Sequence, residues 1–383
     1  MKRTLVRLLC VALLAGLLTG CSATANETSA SPTETPAAAD SENSKESDFR
    51  ATLQKAMGRY DNDTLVMTVN GQKITWDLYY YWLSHMLDTY NSILGKLPED
   101  FSAEFAQGQS LDEFLSHSTN RYVVYYASLF TWAKELGITT EDDGELEKAW
   151  QAECDQNGGE EAYLTSLAAD SVTKNAWMYY TRGDDLYRKL LVAQYGENGE
   201  KITQEQAEAW AQENNYVHVN DIAFLTKNSD GSEMDDTEKA EVYARAEKLL
   251  DELRALEGEP EALEAKFDAL RNEYSEEPGL DDYPDGYTIT TNQMETAFET
   301  AAFSLGEYKL SDVIETSGSY HILLGLPIRL NAIMGNDESG EPYTLATAVR
   351  RDKFNADMDE WIGKATIVWS DEFSNFSVGK LFE

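Results

Sequence analysis

Histidine and cysteine are the side chains of this sequence best able to bind a metal or act as a nucleophile. The four histidines are His85, His117, His218 and His321. None of them has a second His or a Cys at the spacing that is typical of zinc sites. The acidic turn at residues 228–231 lacks the carboxylate series of a calcium loop. The sequence therefore predicts no metal site and no cofactor, and leaves the chemistry to individual polar side chains.

One cysteine has a different setting, at the end of an N-terminal targeting segment. A positively charged start is followed by an apolar run over residues 8–18 that is too short to span a membrane comfortably. Residues 18–21, Leu-Thr-Gly-Cys, resemble the lipobox of bacterial lipoproteins, whose cysteine carries a diacylglycerol. A simple secretory peptide with an incidental cysteine is the alternative. We expect residues 1–20 to be a lipoprotein signal peptide, with Cys21 lipidated and anchored at the outer face of the cell membrane.

The charge of the chain excludes one large class of partners. Among 383 residues, 69 are Asp or Glu and 31 are Lys or Arg, which gives a formal net charge of -38. Nucleic acids bind proteins largely through Lys and Arg, so a nucleic-acid partner is not expected. The length allows two or three compact domains, each with its own core.

The segment after the cysteine is predicted to be unstructured. Residues 21–48 are rich in Ser, Thr, Ala, Glu and Pro and contain almost no large apolar side chain. Such a segment cannot bury enough apolar surface to offset the entropy lost on ordering. We therefore expect a disordered tether between the lipid anchor and the folded part.

A mainly helical module is predicted over residues 49–213. An apolar run at residues 65–69 ends at an Asn-Gly turn, which indicates a strand followed by a turn. Helical periodicity follows over residues 76–90, 111–136, 145–153, 160–167, 172–195 and 204–213. The second of these segments carries an aromatic stripe made of Tyr122, Tyr126 and Phe130. We interpret the stripe as core, with a peptide-binding groove as the alternative.

The pattern changes after residue 213, where a small domain of a different kind begins. Apolar runs at residues 216–219 and 222–225 indicate a strand. Two amphipathic helices follow, and then a loop rich in Gly, Pro and Asp over residues 276–287. A helix over residues 292–303 and strands over residues 312–315 and 320–326 complete the order. This order predicts a small α+β domain and, with the helical module, an α+β protein.

Several short motifs in this domain occur in an order that is typical of one family. They are Tyr-Ser-Glu-Glu at residues 274–277, Met294 four residues before Phe298, Ala-Ala-Phe at residues 301–303, and Ser-Tyr-His-Ile at residues 319–322. With these motifs, residues 216–327 resemble a parvulin-type peptidyl-prolyl isomerase domain, and we assign residues 214–328 to it. The resemblance implies rotation about X–Pro bonds, which have a barrier of about 18–20 kcal/mol.

The segments on either side of this domain extend the resemblance. Val-Asn-Gly-x-x-Ile-Thr at residues 69–75 and Ala-Lys-Glu-Leu-Gly-Ile at residues 133–138 are similar to the chaperone module of bacterial extracytoplasmic foldases. The chain as a whole resembles the PrsA-like foldase lipoproteins, with SurA-like chaperones as relatives. In that family the C-terminal segment, here residues 329–383, returns to the N-terminal module. We therefore expect residues 365–370 to pair as a strand with residues 65–70.

The resemblance also assigns roles to single residues. It implies a slot that grips the proline ring, lined by Met294 and Phe298 one helical turn apart, with Phe303 either in the slot or in the core. It implies a polar lining that favours the twisted amide over either planar isomer. That lining consists of His321, Thr316, Glu277 and Asp221. For His321, a buried and hydrogen-bonded core histidine is the alternative.

Two departures from the family pattern keep a second function open. Asp221 stands where the family has a histidine, and His218 should point to the opposite face of the strand. Glu277 stands where the family has Asp or Cys, so two carboxylates could share a proton or repel each other in one site. The sequence thus predicts a membrane-anchored isomerase for unfolded or newly exported polypeptides. The alternative is a holdase whose degenerate parvulin domain only binds unfolded chains.

Overall fold

A computed structural model describes residues 36–383 apart from residues 107, 142, 143, 229, 338, 339 and 341. The predicted signal peptide, Cys21 and the first part of the predicted tether lie outside the described residues. None of the described helices combines the length and the apolar character needed to cross a membrane.

The described chain mixes helices and sheets, and the predicted α+β class is confirmed. The helices are α1 (Pro36–Met57), α2 (Trp76–Leu94), α3 (Leu111–Glu135), α4 (Glu145–Gln156), α5 (Glu160–Ala169), α6 (Lys174–Tyr195), α7 (Gln204–Glu213), α8 (Asp236–Arg254), α9 (Pro260–Tyr274), α10 (Thr296–Ser304) and α11 (Leu345–Gly363). The strands are β1 (Leu65–Val69), β2 (Gln72–Thr75), β3 (Glu104–Ala106), β4 (Gln109–Ser110), β5 (Val217–Leu225), β6 (Tyr287–Ile289), β7 (Ile314–Glu315), β8 (Ser319–Leu326), β9 (Ile333–Asn336), β10 (Pro342–Thr344) and β11 (Ile367–Trp369). A short 3-10 helix follows at Gly379–Leu381.

The chain divides into two compact units. The first ends at Leu190 and resumes over Ala356–Glu383, and the second is Leu191–Asn355. The second unit begins before and ends after the segment 214–328 that was assigned to the isomerase domain. The reason is a small core that joins both flanks of that segment. It consists of Ile202, Ala207, Leu345 and Val349, with Trp210 and Ile328 packed against it.

Helix α1 begins inside the segment that was predicted to be a disordered tether, so that prediction does not hold for residues 36–48. Alanine, the best helix former, occupies residues 37–39, and proline is favoured at the first helical position. At the other end of α1, Leu53 is buried and Arg50 pairs with Asp170 at 2.8 Å. These contacts fix the C-terminal half of α1 to the first unit.

The first unit is built around a three-stranded antiparallel sheet with the order β11-β1-β2. Met67 lies opposite Trp369 and Val69 lies opposite Ile367. This is the pairing that the sequence predicts between residues 65–70 and 365–370. It gives both apolar strands partners for their backbone groups, and it returns the C-terminal segment to the N-terminal module.

Aromatic side chains fill the core of the first unit. Trp76, Tyr79 and Tyr80 on α2 are fully buried, at the three- and four-residue spacing of one helical face. On α3, Tyr122 stacks on Trp82 with ring centroids 4.3 Å apart. Tyr122 and Tyr126 of the stripe therefore pack into or against the core, as the favoured interpretation of the sequence states, while Phe130 stacks on Tyr179.

The second unit contains a four-stranded antiparallel sheet with the order β6-β5-β8-β7. The two predicted runs at residues 216–219 and 222–225 form the single strand β5. Because side chains alternate along a strand, β5 sends Ile222 and Phe224 towards helices α8 and α9. Val219 and Leu323 face α10 on the opposite side. Asp221 and His321 share the parity of this second face, which carries the candidate site.

Candidate active site

The α10 face of the sheet contains a cavity of about 250 Å³ in the second unit. Its lining consists of Asp221, Glu277, Tyr287, Met294, Glu295, Phe298, Thr316, Ser317, Gly318, Ser319 and His321. The structure thus brings together six of the seven side chains that the sequence assigned to the site. The seventh, Phe303, is not among the lining residues.

His321 lies at the centre of the polar side of the cavity and is held at both ring nitrogens. Its Nδ1 is 2.9 Å from Oδ2 of Asp221, and its Nε2 is 3.1 Å from Oγ1 of Thr316. The Thr316 hydroxyl donates its proton to the carbonyl oxygen of Ser319 at 3.1 Å. Nε2 must therefore be the donor to Thr316, which leaves Nδ1 and the Asp221 carboxylate to share the next proton.

The neighbours of His321 favour its charged form. Burial lowers the pKa of His321, but the hydrogen bond and the negative charge of Asp221 outweigh burial, with help from Glu277 and Glu295. The pKa of His321 is accordingly raised above its ordinary value. A protonated imidazole that donates one hydrogen bond from each nitrogen satisfies this geometry. His321 therefore differs from a core histidine that is merely buried, because both of its ring nitrogens are bonded to side chains of the cavity.

Asp221 is the most deeply buried acid of the cavity, at 1% exposure. Burial raises its pKa, while the hydrogen bond and charge of His321 and the charge of Arg271 oppose that rise. Its second oxygen, Oδ1, has no hydrogen-bond partner among the described residues. A buried carboxylate with one unsatisfied oxygen is costly, and His321 is the partner that offsets most of this cost.

Glu277 supplies a second carboxyl group next to Asp221. Burial raises the pKa of Glu277 to about 7, and the nearby charge of Asp221 acts in the same direction. Arg271 opposes this shift, with Nη2 3.8 Å from Oε2 of Glu277. Glu277 therefore changes its charge near neutral pH, and the two carboxyl groups interact as the sequence suggested.

The apolar wall of the cavity is formed by Phe298 and Met294. Phe298 is 4% exposed and meets the ring of His321 edge to face, with centroids 5.3 Å apart and an interplanar angle of 87°. Such a contact puts an apolar surface directly against the imidazole.

Met294 reaches this wall differently from the prediction. Helix α10 begins at Thr296 rather than at residue 292, so Met294 precedes the helix instead of lying one turn before Phe298 on it. The cause is local backbone geometry, because Asn292 has a positive φ of 67°. The Glu299 carboxylate accepts hydrogen bonds from the backbone N–H groups of Gln293 and Met294, at 2.7 and 3.0 Å. These bonds fix the segment that carries the methionine.

Phe303 does not reach the cavity. It lies five residues after Phe298 on the same helix, and at about 100° per residue the two side chains point about 140° apart. Phe303 is half-buried elsewhere on α10. The part of the prediction that put Phe303 in the slot is therefore wrong on geometric grounds.

His218 also lies away from the cavity, as the alternation of β5 predicts. It is 2% exposed, and its Nδ1 is 2.9 Å from Oγ1 of Thr288 on β6. Burial lowers its pKa to about 4, with Arg329 acting in the same direction. His218 is therefore a neutral structural histidine at physiological pH.

Two features of the site were missed in the sequence. Glu295, which precedes α10, accepts hydrogen bonds from the backbone N–H and hydroxyl of Ser317 at 3.0 and 2.7 Å. These bonds join the Phe298 wall to the turn before His321.

Arg271 lies behind Glu277. The sequence contained a sign of its burial, because Arg271 follows the buried Phe267 by one helical turn. Nothing in the sequence pointed to the pairing of Glu295 with Ser317.

Glycine is required at one point of the loop that precedes β6. Gly286 has a φ of +90°, and a Cβ there would lie 2.5 Å from the carbonyl oxygen of Val219 on β5. The close approach brings the loop against the strand that carries Asp221. Tyr287, which follows, lines the cavity.

The described residues contain no group of three or more His, Cys, Asp or Glu side chains arranged to hold a metal ion.

One family model matches the part of the chain that contains most of the cavity. Residues 222–325 match the model described as "Rotamase: PPIC-type PPIASE domain". This part of the chain is similar to PPIC-type PPIase domains. The match runs from the middle of β5 to the penultimate residue of β8, and it contains the cavity-lining residues that the sequence assigned except Asp221, which lies one position before its start. The resemblance of residues 216–327 to parvulin-type domains is thus confirmed.

Solved structures were also compared with the whole chain. PrsA from Bacillus subtilis aligns at 16% identity over 79% of this chain and 92% of its own, with a TM-score of 0.24. PrsA from Bacillus cereus aligns at 15% identity over 78% and 87%, with a TM-score of 0.26. A structure of SurA-like chaperones of Campylobacter jejuni aligns at 13% identity over 80% and 99%, with a TM-score of 0.20. No curated protein gives a significant match to the chain.

Proposed function

We propose that the PPIase domain catalyses cis–trans isomerisation of X–Pro bonds in unfolded or newly exported polypeptides. One observation carries the proposal: the edge of an apolar wall, Phe298, lies against a histidine that is held at both nitrogens by Asp221 and Thr316. Phe298 offers an apolar contact for the proline ring. His321 and its two partners offer a polar contact for the amide group next to that ring. Both line one cavity of about 250 Å³.

The chemistry follows from the electronic structure of the amide. In the planar isomers, resonance puts negative charge on the carbonyl oxygen and gives the C–N bond its double-bond character. The twisted transition state loses this charge separation. Carboxylates beside a substrate carbonyl oppose negative charge on its oxygen, so Asp221 and Glu277 would destabilise the planar forms more than the twisted one. The apolar wall holds the proline ring while the bond rotates.

Isomerisation needs no covalent intermediate, and the roles of the site residues follow from this. Met294 and Phe298 bind the substrate. His321 presents an N–H to Thr316 and shares a proton with Asp221, which fixes the ring against Phe298. Glu277, with a pKa of about 7, can change the charge of the site near physiological pH. Exchange NMR on a short X–Pro peptide, with and without the purified full chain, tests this function directly.

A specific observation also favours a second candidate, the holdase. Asp221 occupies the position at which the family resemblance leads us to expect a histidine, so the site has one imidazole instead of two. A domain that binds proline segments through Phe298 and Met294 without accelerating rotation would act as a second peptide site of a chaperone. Suppressed aggregation of an unfolded client together with an uncatalysed rotation rate would favour this candidate.

We further propose that the protein acts from a lipid anchor on Cys21 at the outer face of the cell membrane. The support is the Leu-Thr-Gly-Cys sequence at residues 18–21, which follows an apolar run and precedes a polar segment. An extracytoplasmic location would bring the isomerase site to polypeptides as they leave the membrane. Cys21 lies outside the described residues, so this proposal rests on the sequence.

A further inference from the structure

Arg271 is a buried cation directly behind the cavity. It lies on α9, is 2% exposed, and follows the core residue Phe267 on the same helical face. Its guanidinium donates from Nη1 to the carbonyl oxygen of Pro284 and from Nη2 to that of Tyr283, both at 2.9 Å. Its Nε has no hydrogen-bond partner among the described residues.

Two neutral carbonyl groups do not balance a buried positive charge. The acid nearest to the guanidinium is Glu277, whose Oε2 is 3.8 Å from Nη2. Oε2 of Glu277 accepts no hydrogen bond from any described residue, and its side chain is 12% exposed. Asp221 and Asp268 also feel the positive charge of Arg271, but Glu277 is the acid in ion-pair distance of the guanidinium, and Glu277 lines the cavity.

We propose that Arg271 is a positioning residue of the isomerase site, which holds Glu277 at the cavity wall and fastens the Tyr283–Pro284 turn behind it. The inference rests on the proposed isomerase function and deepens it. Arg271 itself does not line the cavity, so it acts on the substrate through Glu277 and through the loop that leads to Tyr287.

Arg271 acts first on the position of the loop before β6. Residues 283 and 284 precede Gly286, which packs against β5, and Tyr287, which lines the cavity. By donating to the carbonyl oxygens of Tyr283 and Pro284, the guanidinium fixes the position of this turn relative to α9. A lysine at position 271 keeps the charge but cannot reproduce the planar fork that reaches both carbonyl groups.

Arg271 also acts on the charge of Glu277. The charged groups that act on Glu277 are Asp221 on β5, His321 on β8 and Arg271 on α9. Asp221 raises the pKa of Glu277, whereas Arg271 and His321 lower it. Loss of the positive charge of Arg271 should therefore raise the pKa of Glu277 further. This expectation holds whether the protonated or the ionised form of Glu277 is the active one.

The test compares the full chain with its Arg271→Lys and Arg271→Met variants. The pH titration of the Glu277 carboxyl carbon is followed by NMR, and the signal is assigned by its loss in Glu277→Gln. We expect a midpoint near pH 7 in the wild type and in Arg271→Lys, and a midpoint about one to three pH units higher in Arg271→Met, the range for loss of a neighbouring opposite charge. An unchanged midpoint in a folded Arg271→Met overturns the proposal.

A second comparison applies if Arg271→Met is too unstable to titrate. At pH 8 the Glu277→Gln change should raise the stability towards urea more in the Arg271→Met background than in the wild type, because the carboxylate has lost its neighbouring positive charge there. An equal or smaller gain in the Arg271→Met background overturns the proposal. A purely structural role in holding the turn would give the same gain in both backgrounds.

The pH profile of the isomerisation rate separates this inference from the proposed function. We expect the profile of Arg271→Met to move to higher pH with its Glu277 titration, and the profile of Arg271→Lys to stay in place. A measurable wild-type rate whose profile is the same in all three proteins overturns the positioning role. A wild-type rate of zero would instead defeat the proposed function, and the carboxyl titration would still test the pairing of Arg271 with Glu277.

Discussion

Asp221 and His321 lie on neighbouring antiparallel strands, with Oδ2 and Nδ1 2.9 Å apart, although 100 residues separate them in the chain. Register explains the contact. His321 lies opposite Ala223, two residues from Asp221, so both side chains project from the same face of the sheet. A shift of one residue in the pairing would send His321 into the core beneath α8 and α9. The site therefore depends on the register of β5 and β8.

Removal of the apolar wall should weaken the binding of proline peptides. Met294→Ala and Phe298→Ala each remove apolar surface of the cavity wall that a bound proline ring would contact, so we expect a loss of binding free energy of about 1–3 kcal/mol at most. Calorimetric titration with an X–Pro peptide measures the loss. Phe303→Ala is the matched control, because it truncates the same residue type on the same helix outside the cavity. Equal losses in Phe298→Ala and Phe303→Ala would contradict the assigned wall.

The stability of the second unit should depend on pH through Glu277. Its folded pKa of about 7 lies above the ordinary value of 4.5, so the folded state binds more protons between these values and loses stability as the pH rises. Glu277→Gln removes this penalty. Relative to wild type, its free energy of unfolding should rise by up to about 3 kcal/mol between pH 5 and pH 8.

Hydrogen exchange of the β5 and β8 amides measures this difference within the second unit. Glu307→Gln serves as the control, because Glu307 is exposed and does not line the cavity. If Glu277→Gln changes stability by the same amount at pH 5 and pH 8, the raised pKa of Glu277 is wrong.

The contact between Glu295 and Ser317 should set the width of the cavity. Glu295→Ala removes both hydrogen bonds to Ser317 and frees the Phe298 wall from the turn that precedes His321. We expect a rise in KM of less than about tenfold, larger than any loss in kcat, because one hydrogen-bonded contact between exposed groups is lost. Ser317→Ala should add little to Glu295→Ala in a double-mutant cycle. Fully additive effects would show that the two residues act independently.

One strand pairing and the main cavity residues could be predicted. The family motifs supplied the positions of Phe298, Thr316 and His321, and alternation along β5 put Asp221 and His218 on opposite faces. The pairing of β11 with β1 followed from the family resemblance, which implies the return of the C-terminal segment, together with two apolar runs that each needed a partner for their backbone groups.

Other features depend on contacts that sequence spacing does not encode. The start of α10 is set by a left-handed Asn292 and by the Glu299 carboxylate, so the helical period overestimated the length of the helix. The partner of Arg271 lies on a loop whose path depends on Gly286. Helix α1 reaches into a segment whose composition predicts disorder, because helix propensity and disorder composition overlap for Ala, Glu and Lys.

Loss of Cys21 should release the protein from the membrane. Cys21→Ala removes the thiol that the proposed lipidation needs, so the chain should lose labelling by a fatty-acid analogue and move to the soluble fraction. Cys10→Ala is the matched control, because Cys10 lies within the predicted signal peptide and should leave anchoring intact. Full lipid labelling and membrane retention of Cys21→Ala would contradict the anchor.

The central claim is that this domain accelerates X–Pro rotation, and exchange NMR on an X–Pro peptide with the full chain tests it most directly. We expect the wild type to raise the exchange rate above that of buffer and His321→Ala to lower the rate by about tenfold or more, which corresponds to about 1.4 kcal/mol of lost transition-state stabilisation. His218→Gln, a histidine change on the same sheet outside the cavity, should keep the wild-type rate. A wild-type rate equal to that of buffer, with peptide still bound, would contradict the claim and leave the domain as a binding module.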